Sequence, residues 1–153
     1  MKLRTDTTQM VELLQETVDV WKAKLEKAPE NRQFGIHACP LCKKYHENVG
    51  CKGCPVSTYT GRHVCFDTPY DDVMLALKQC TWYGAPDERL QEAIKKEITF
   101  LTKLLHIYRD IEAQEYRMEL AKQTDNAYHI SGRYAKDMLI LNNLKARAKK
   151  GEG

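Results

Sequence analysis

Five cysteines between residues 39 and 65 are the side chains in this chain best suited to chemistry. They occur as Cys39-Pro-Leu-Cys42, then, after eight residues, Cys51-Lys-Gly-Cys54, and then, after ten more, Cys65. A Cys-x-x-Cys pair in a tight turn presents two thiolates to one ion, and four thiolates at tetrahedral corners suit Zn²⁺. The spacing therefore predicts a structural zinc site formed by Cys39, Cys42, Cys51 and Cys54.

The two pairs are closer together than is usual, which leaves the ligand set open. Eight residues separate them, whereas about 15–20 are common between zinc knuckles. Cys65 is therefore a possible replacement for one of the four ligands. His37, His46 and His63 are further substitutes, although the cysteines already exceed the four donors that zinc needs. Cys80 stands among apolar residues at helical spacing, which favours a buried thiol.

Other chemistries compete with structural zinc. A redox-active Cys39–Cys42 pair lacks the βαβ surroundings of thioredoxin-like proteins, and the spacing matches neither ferredoxin-type iron–sulfur run. Inert reduced thiols are a third alternative. A catalytic zinc needs an open position for water, and the His-x-Glu and Pro-Cys-x-x-Cys signature of zinc deaminases does not occur in the sequence. These comparisons favour a closed, structural zinc site.

Composition and length indicate one soluble domain over residues 1–153. Hydrophobic residues make up 42% and charged residues 29% of the chain, as in ordinary globular proteins. We see no secretory signal and no apolar run long enough to span a membrane, so we expect a cytoplasmic protein. A reducing compartment favours metal binding over disulfides. The net charge of +3 does not by itself require a nucleic-acid partner.

A first helix is predicted over residues 6–28. Asp6 is the expected N-cap, with Gln9 at the reciprocal position of a capping box. Apolar residues recur every three or four positions and predict one buried face. That face consists of Met10, Leu14, Val18, Trp21 and Leu25.

Residues 69–150 are predicted to form a helical region with a basic tail. Thr68 and Pro69 begin one helix that stops near Gly84, and a long helix runs from residue 87 to about 118–122. A last helix begins between residues 125 and 131, which suggests a long C-terminal helical hairpin. The long helix also offers a homodimer seam. The tail contains Lys145, Arg147, Lys149 and Lys150.

Residues 37–68 show little helix signal. Prolines follow Cys39 and Cys54, and residues 58–66 predict two short β segments around a Thr-Gly turn. A region so poor in aliphatic side chains needs an additional cross-link to be ordered, and a bound metal would provide one. The expected fold is therefore mainly α, with helices around a small irregular or β zinc-binding module.

The cysteine region resembles a Cys-rich module of small, uncharacterised bacteriophage proteins. The resemblance covers residues 38–72, about a quarter of the chain. It implies a phage-encoded protein of the host cytoplasm and includes all five cysteines in the motif, but it implies no activity. It is carried by Cys39-Pro-Leu-Cys42, Cys51-Lys-Gly-Cys54-Pro-Val, Thr60-Gly61 and Cys65-Phe-Asp-Thr-Pro-Tyr70.

Three functions follow as hypotheses. The first is a non-enzymatic interaction protein that binds or modulates a host or phage macromolecule, because no catalytic constellation is recognisable. The second is a zinc-dependent nucleic-acid-binding protein that uses Lys43, Lys44, Lys52 and Arg62, with Tyr45 and Tyr59 to stack on bases. The third is an enzyme with an unfamiliar site near His106, Tyr108 or His129.

Overall fold

The computed structural model describes residues 5–27, 39–45, 51–62, 65 and 68–149. This part of the chain is mainly helical and contains no β-strand, so the mainly α prediction is confirmed. In chain order the helices are α1 (Asp6–Glu26), α2 (Pro40–Tyr45), α3 (Pro55–Thr60), α4 (Pro69–Trp82), α5 (Asp87–Thr124) and α6 (Arg133–Arg147).

The first helix begins with a threonine cap. Thr5 accepts a hydrogen bond from the Thr8 amide at 3.2 Å, and the Thr8 hydroxyl accepts one from the Thr5 amide at 3.3 Å. This reciprocal pair satisfies two amides of the first turn, so the predicted cap at Asp6 with Gln9 was wrong by one residue. The helix ends at Glu26 rather than at residue 28. Its predicted apolar face is the buried one, through Leu14, Val18 and Trp21.

Two short helices occupy the region in which little helix was expected. In α3, Cys54 is the N-cap residue, Pro55 lies in the first turn, and Gly61 closes the helix with a left-handed φ of 70°. Proline at a helix start and glycine just past its end are favourable positions for both residues. The prediction of β segments was therefore wrong for residues 58–60. Residues 63, 64 and 66 of those segments lie outside the described part of the chain.

The long helix α5 is the element that the others pack against. It spans about 57 Å at 1.5 Å per residue and contacts α1, α4 and α6. Thr68 caps α4 as predicted, accepting a hydrogen bond from the Tyr70 amide at 3.2 Å. Within the described ranges, no helix is both long and apolar enough to cross a membrane.

The last two helices differ in length from the prediction. The long helix continues to Thr124, beyond the predicted end at residues 118–122. The final helix begins only at Arg133, because residues 125–131 form hydrogen-bonded turns and Gly132 has a left-handed φ of 84°. Side chains of α6 pack on the C-terminal half of α5, where Gln114 donates a hydrogen bond to the Asp137 carbonyl at 3.2 Å.

Buried side chains fall into two clusters. The larger one, which we call the cysteine core, joins α1, α4 and the N-terminal half of α5 to the cysteine region. The smaller one, the C-terminal core, consists of Ile111, Met118, Leu141 and Ala148 with partly buried neighbours. The position of the cysteines inside the larger cluster makes that cluster the place to look for a site.

Candidate metal centre

All five predicted cysteines line one small cavity. Cys39 precedes α2, Cys42 lies within it, Cys51 and Cys54 flank the turn before α3, and Cys65 follows that helix. The volume of the cavity is about 20 Å³, enough for one water-sized particle. Three segments of the chain thus bring cysteines to one small space.

Hydrogen bonds and electrostatic interactions connect the sulfurs to one another. Side-chain interactions link Cys39 to Cys42, and Cys42 to Cys65. Cys54 interacts electrostatically with Cys51 and Cys39. Each of the five thiols is therefore within interaction range of at least one other.

The surroundings raise the pKa of three of these thiols and so favour their neutral form. The hydrogen bond to Cys42, followed by burial, raises the pKa of Cys39. The hydrogen bond from Cys39 lowers the pKa of Cys42, but the bond to Cys65 and burial outweigh it and raise the pKa to about 12. Burial raises the pKa of Cys54 to about 11. A divalent cation bound by these sulfurs would instead favour the deprotonated thiolates, because a coordinating thiol loses its proton.

The five cysteines lie close together but do not form a coordination sphere. Among residues 5–27, 39–45, 51–62, 65 and 68–149, no group of three or more His, Cys, Asp or Glu side chains is arranged to hold a metal ion. Coordination therefore requires the sulfurs to lose protons and draw towards a common centre. The set Cys39, Cys42, Cys51 and Cys54 stays a prediction, and Cys65 lines the same cavity.

The turn between the second pair of cysteines is tight and left-handed. Cys51 has a φ of 57° and Gly53 a φ of 92°, and the Cys54 amide donates to the Cys51 carbonyl at 3.0 Å. A non-glycine residue in this region stores strain, and such strain clusters at functional sites. A Cβ at position 53 would also meet the Tyr45 ring at 3.4 Å. The Cys-Lys-Gly-Cys motif is the sequence signal for this turn.

The helical body supplies the apolar part of the cavity wall. Trp21 from α1, Tyr70 from α4 and Leu101 from α5 all line it. The Trp21 and Tyr70 rings meet edge to face, with centroids 6.2 Å apart. The cysteine region thus packs on three helices, of which α1 and α5 are distant from it in sequence and α4 follows it directly.

Glu97 is a site residue that the sequence analysis missed. Its side chain comes from α5 and lines the same cavity as the cysteines. Burial, and then the nearby charges of Cys39, Asp71 and Asp72, raise the pKa of its carboxyl group to about 8. The sequence did carry a signal, since Glu97 interrupts an apolar series at helical spacing that includes Ile94 and Leu101.

The four basic candidates for nucleic-acid binding are all exposed. Lys43 and Lys44 lie on α2, and Lys52 and Arg62 lie in the turns on either side of α3. The Lys44 ammonium lies 5.4 Å from the centroid of the Tyr45 ring.

The aromatic candidate Tyr59 is not placed for stacking on bases. It is 7% exposed and packs edge to face on Phe100 with ring centroids 5.8 Å apart. Its ring is therefore part of the protein interior.

The other candidate side chains lie outside this cavity or outside the described residues. His37, His46 and His63 belong to the undescribed residues. The Cys80 thiol donates to the Pro86 carbonyl at 3.4 Å, which ties the end of α4 to the start of α5. His129 is exposed and contacts the Tyr134 ring at a centroid distance of 4.7 Å.

Comparisons with protein-family models, with curated proteins and with solved structures gave no match. The resemblance to the bacteriophage module stays a prediction for that reason.

Proposed function

We propose that this chain is a zinc-stabilised, non-enzymatic protein that binds another macromolecule. The observation that carries the zinc proposal is the convergence of five cysteines on one ion-sized cavity. Four sulfur donors fill a tetrahedral zinc shell and leave no open position for a reacting water. The role of the ion is structural, and the residues that supply it are drawn from Cys39, Cys42, Cys51, Cys54 and Cys65.

The ion would hold the cysteine region on the helical body. The helices α2 and α3 have six residues each, and isolated helices shorter than about 12–15 residues are marginal in water. Their order must come from tertiary contacts, and a metal that joins Cys39, Cys54 and Cys65 would supply it. This part of the chain is therefore the zinc-binding module of the proposal. The resemblance of residues 38–72 supports a phage-encoded protein of the bacterial cytoplasm, where thiols are reduced.

Metal content tests the zinc proposal directly. Protein purified without chelator should contain about one zinc per chain, measured by elemental analysis. Cys54→Ser should lose most of that zinc, whereas Cys80→Ser should keep it because Cys80 bonds to the Pro86 carbonyl instead. A metal-free preparation that is fully folded would contradict the proposal.

An exposed apolar strip on α4 and its C-cap residue supports a protein partner. Leu75 is 55% exposed, Trp82 69% and Tyr83 80%. Positions 75 and 82 are seven residues apart on the helix and therefore lie on one face. Tryptophan and tyrosine are enriched among residues that contribute most of the binding energy of protein interfaces. We propose that this strip binds a phage or host protein.

Substitutions on the strip test this partner proposal. A protein captured from host lysate should be identified, purified and titrated against the wild-type chain by calorimetry. Trp82→Ala should weaken binding by about 30-fold, the effect of an interface hot spot. Leu139→Ala, which changes an exposed residue on α6 (63% exposed), should leave affinity unchanged. Equal effects of both variants would show that the strip is not the binding surface.

The alternative function is zinc-dependent nucleic-acid binding. It is favoured by the exposure of Lys43, Lys44, Lys52 and Arg62 around the cysteine region. Affinity for labelled DNA and RNA should then fall steeply with salt, and each lost phosphate contact should reduce the slope by about one. Lys44→Ala should show this reduction, whereas Lys136→Ala on α6 should not. Absence of salt-dependent binding removes this alternative.

We further propose that α5 and α6 form an antiparallel hairpin that can serve as a dimer seam. The Gln114–Asp137 hydrogen bond and the C-terminal core support the hairpin. On α5, Tyr116 and Leu120 are each 47% exposed and lie one turn apart, which supports an outer face for a second copy. Sedimentation analysis of the wild type and of Leu120→Lys tests the dimer, which the charged variant should dissociate.

A further inference from the structure

Glu97 is an acidic residue on the face of α5 that otherwise carries buried apolar side chains. Along α5 the residues that face the cysteine core include Leu90, Ile94 and Leu101, which are 0%, 0% and 1% exposed. Glu97 lies between them on the same face and is 4% exposed. Burial of a carboxylate is costly unless a partner offsets it.

One oxygen of this carboxylate lacks a hydrogen-bond partner among the described residues. In the described part of the chain, Glu97 Oε2 is buried and has no hydrogen-bond partner. The neighbours that act on it electrostatically, Cys39, Asp71 and Asp72, are all acidic groups, and none of them supplies a positive charge. Acidic neighbours increase the cost of burying a carboxylate. The side chain nevertheless lines the cavity that the five cysteines share.

We propose that Glu97 supplies an oxygen ligand to the metal ion, so that the centre is a mixed thiolate–carboxylate site. This inference rests on the zinc function proposed above. Three of the five thiolates and the Glu97 carboxylate fill the four corners around Zn²⁺. One of the four positions predicted for sulfur is thereby taken by oxygen.

The formal charges allow this arrangement, because three thiolates and a carboxylate around Zn²⁺ carry the same formal charge as four thiolates. A four-thiolate centre would leave Glu97 unbound in the interior. An ionised Glu97 would then add a buried negative charge, and a protonated one would remain a buried polar group without a hydrogen-bond partner among the described residues. On binding, three Zn–S bonds and one Zn–O bond form, and any protons on these ligands pass to solvent. No oxidation or reduction takes place.

An oxygen ligand would also change which ions the site prefers. Thiolates alone suit soft ions such as Cu(I) as well as zinc, whereas a carboxylate is a harder donor. The mixed site should therefore favour Zn²⁺ and Co²⁺ over Cu(I) more strongly than an all-sulfur site does.

X-ray absorption at the zinc edge tests the proposal on the full chain. Wild-type protein loaded with zinc should show three sulfur ligands and one oxygen ligand. Glu97→Gln and Glu97→Ala should lose the oxygen and gain sulfur, or should lose more than about 100-fold in zinc affinity, since changes outside the ligand shell alone cost about 10–100-fold. The matched control Glu88→Gln, an exposed position on the same helix, should match wild type. Circular dichroism of each variant checks that it is folded.

Cobalt provides a second measurement at saturating metal, where affinity no longer matters. The visible spectrum of the Co²⁺ form should shift in Glu97→Ala and stay unchanged in Glu88→Gln. Four sulfurs in the wild type, or one light ligand retained in both Glu97 variants with affinity within about threefold, would overturn the inference while leaving the zinc function intact. A wild-type chain that takes up neither ion would overturn the zinc function itself.

Discussion

The cysteine core and the C-terminal core are stabilised in different ways. Counted over the described residues, the first contains eighteen buried hydrophobic residues, Cys39, Cys51 and Cys54 among them, whereas the second contains four. The second makes up for its small apolar area with polar contacts. Tyr128 donates a hydrogen bond to Asp137 at 2.6 Å, and Arg133 forms an ion pair with Asp125.

This difference indicates which of the two regions a bound metal would stabilise. In the C-terminal core, local hydrogen bonds already stabilise the turns before α6. We therefore expect its helix pair to be stable without a metal cross-link. In the cysteine core, α2 and α3 are too short to be stable alone, and the cysteines next to them, Cys39, Cys51 and Cys54, are buried. We therefore expect the two regions to respond differently to metal removal and to truncation of side chains.

Removal of zinc should produce the largest effect, and it should be confined mainly to the cysteine core. A structural zinc site contributes folding free energy directly, so a chelator should lower the midpoint of thermal unfolding by about 10 °C or more. Hydrogen exchange should show loss of amide protection in α2 and α3 but retained protection in α6. Equal loss in both regions would mean that the two cores unfold as one unit.

Truncation of Trp21 should be the next largest effect. The Trp21 side chain is 2% exposed and forms part of the cavity wall. Loss of a buried aromatic side chain costs about 3–5 kcal/mol, so Trp21→Ala should lower the free energy of unfolding by that amount in urea. Trp82→Ala is the matched control, because its ring is 69% exposed and the change should stay within about 0.5 kcal/mol.

Truncation of Leu141 should have a smaller and more local effect. Leu141 is 6% exposed and belongs to the C-terminal core. Leu141→Ala should cost about 2 kcal/mol, the low end of the range for buried leucines, because few buried side chains surround it. The matched control Leu139→Ala changes a side chain that is 63% exposed and should be nearly neutral. Exchange in α6 should increase only in the first variant, and a loss of zinc from Leu141→Ala would contradict the separation of the two cores.

Removal of the Tyr128 hydroxyl should give the smallest effect. Tyr128→Phe deletes the hydrogen bond to Asp137 and leaves a carboxylate oxygen without that donor, which should cost about 1–2 kcal/mol. Tyr116→Phe, which changes a half-exposed ring, is the control and should leave the free energy of unfolding unchanged. Urea unfolding of both variants measures the difference. A neutral Tyr128→Phe would show that polar contacts do not compensate for the small size of this core.

Local sequence signals predicted the helices whose ends carry a cap. Thr68 and Pro69 marked the start of α4 correctly, and the apolar spacing through Leu14, Val18 and Trp21 identified the buried face of α1. The same kind of signal was misread at α3, where Pro55 and Gly61 were taken as breakers of structure although they begin and end a helix. Proline and glycine mark boundaries, and their order decides whether a helix lies between them.

The sequence by itself determined the mainly helical fold and the donor chemistry of the cysteines, because both follow from residue type and short-range spacing. Only the tertiary structure decided that Cys65 shares a cavity with the two Cys-x-x-Cys pairs and that Glu97 faces the same space. Glu97 comes from α5, far along the chain from the cysteine region. Their meeting depends on how α1, α4 and α5 pack, which no local pattern specifies.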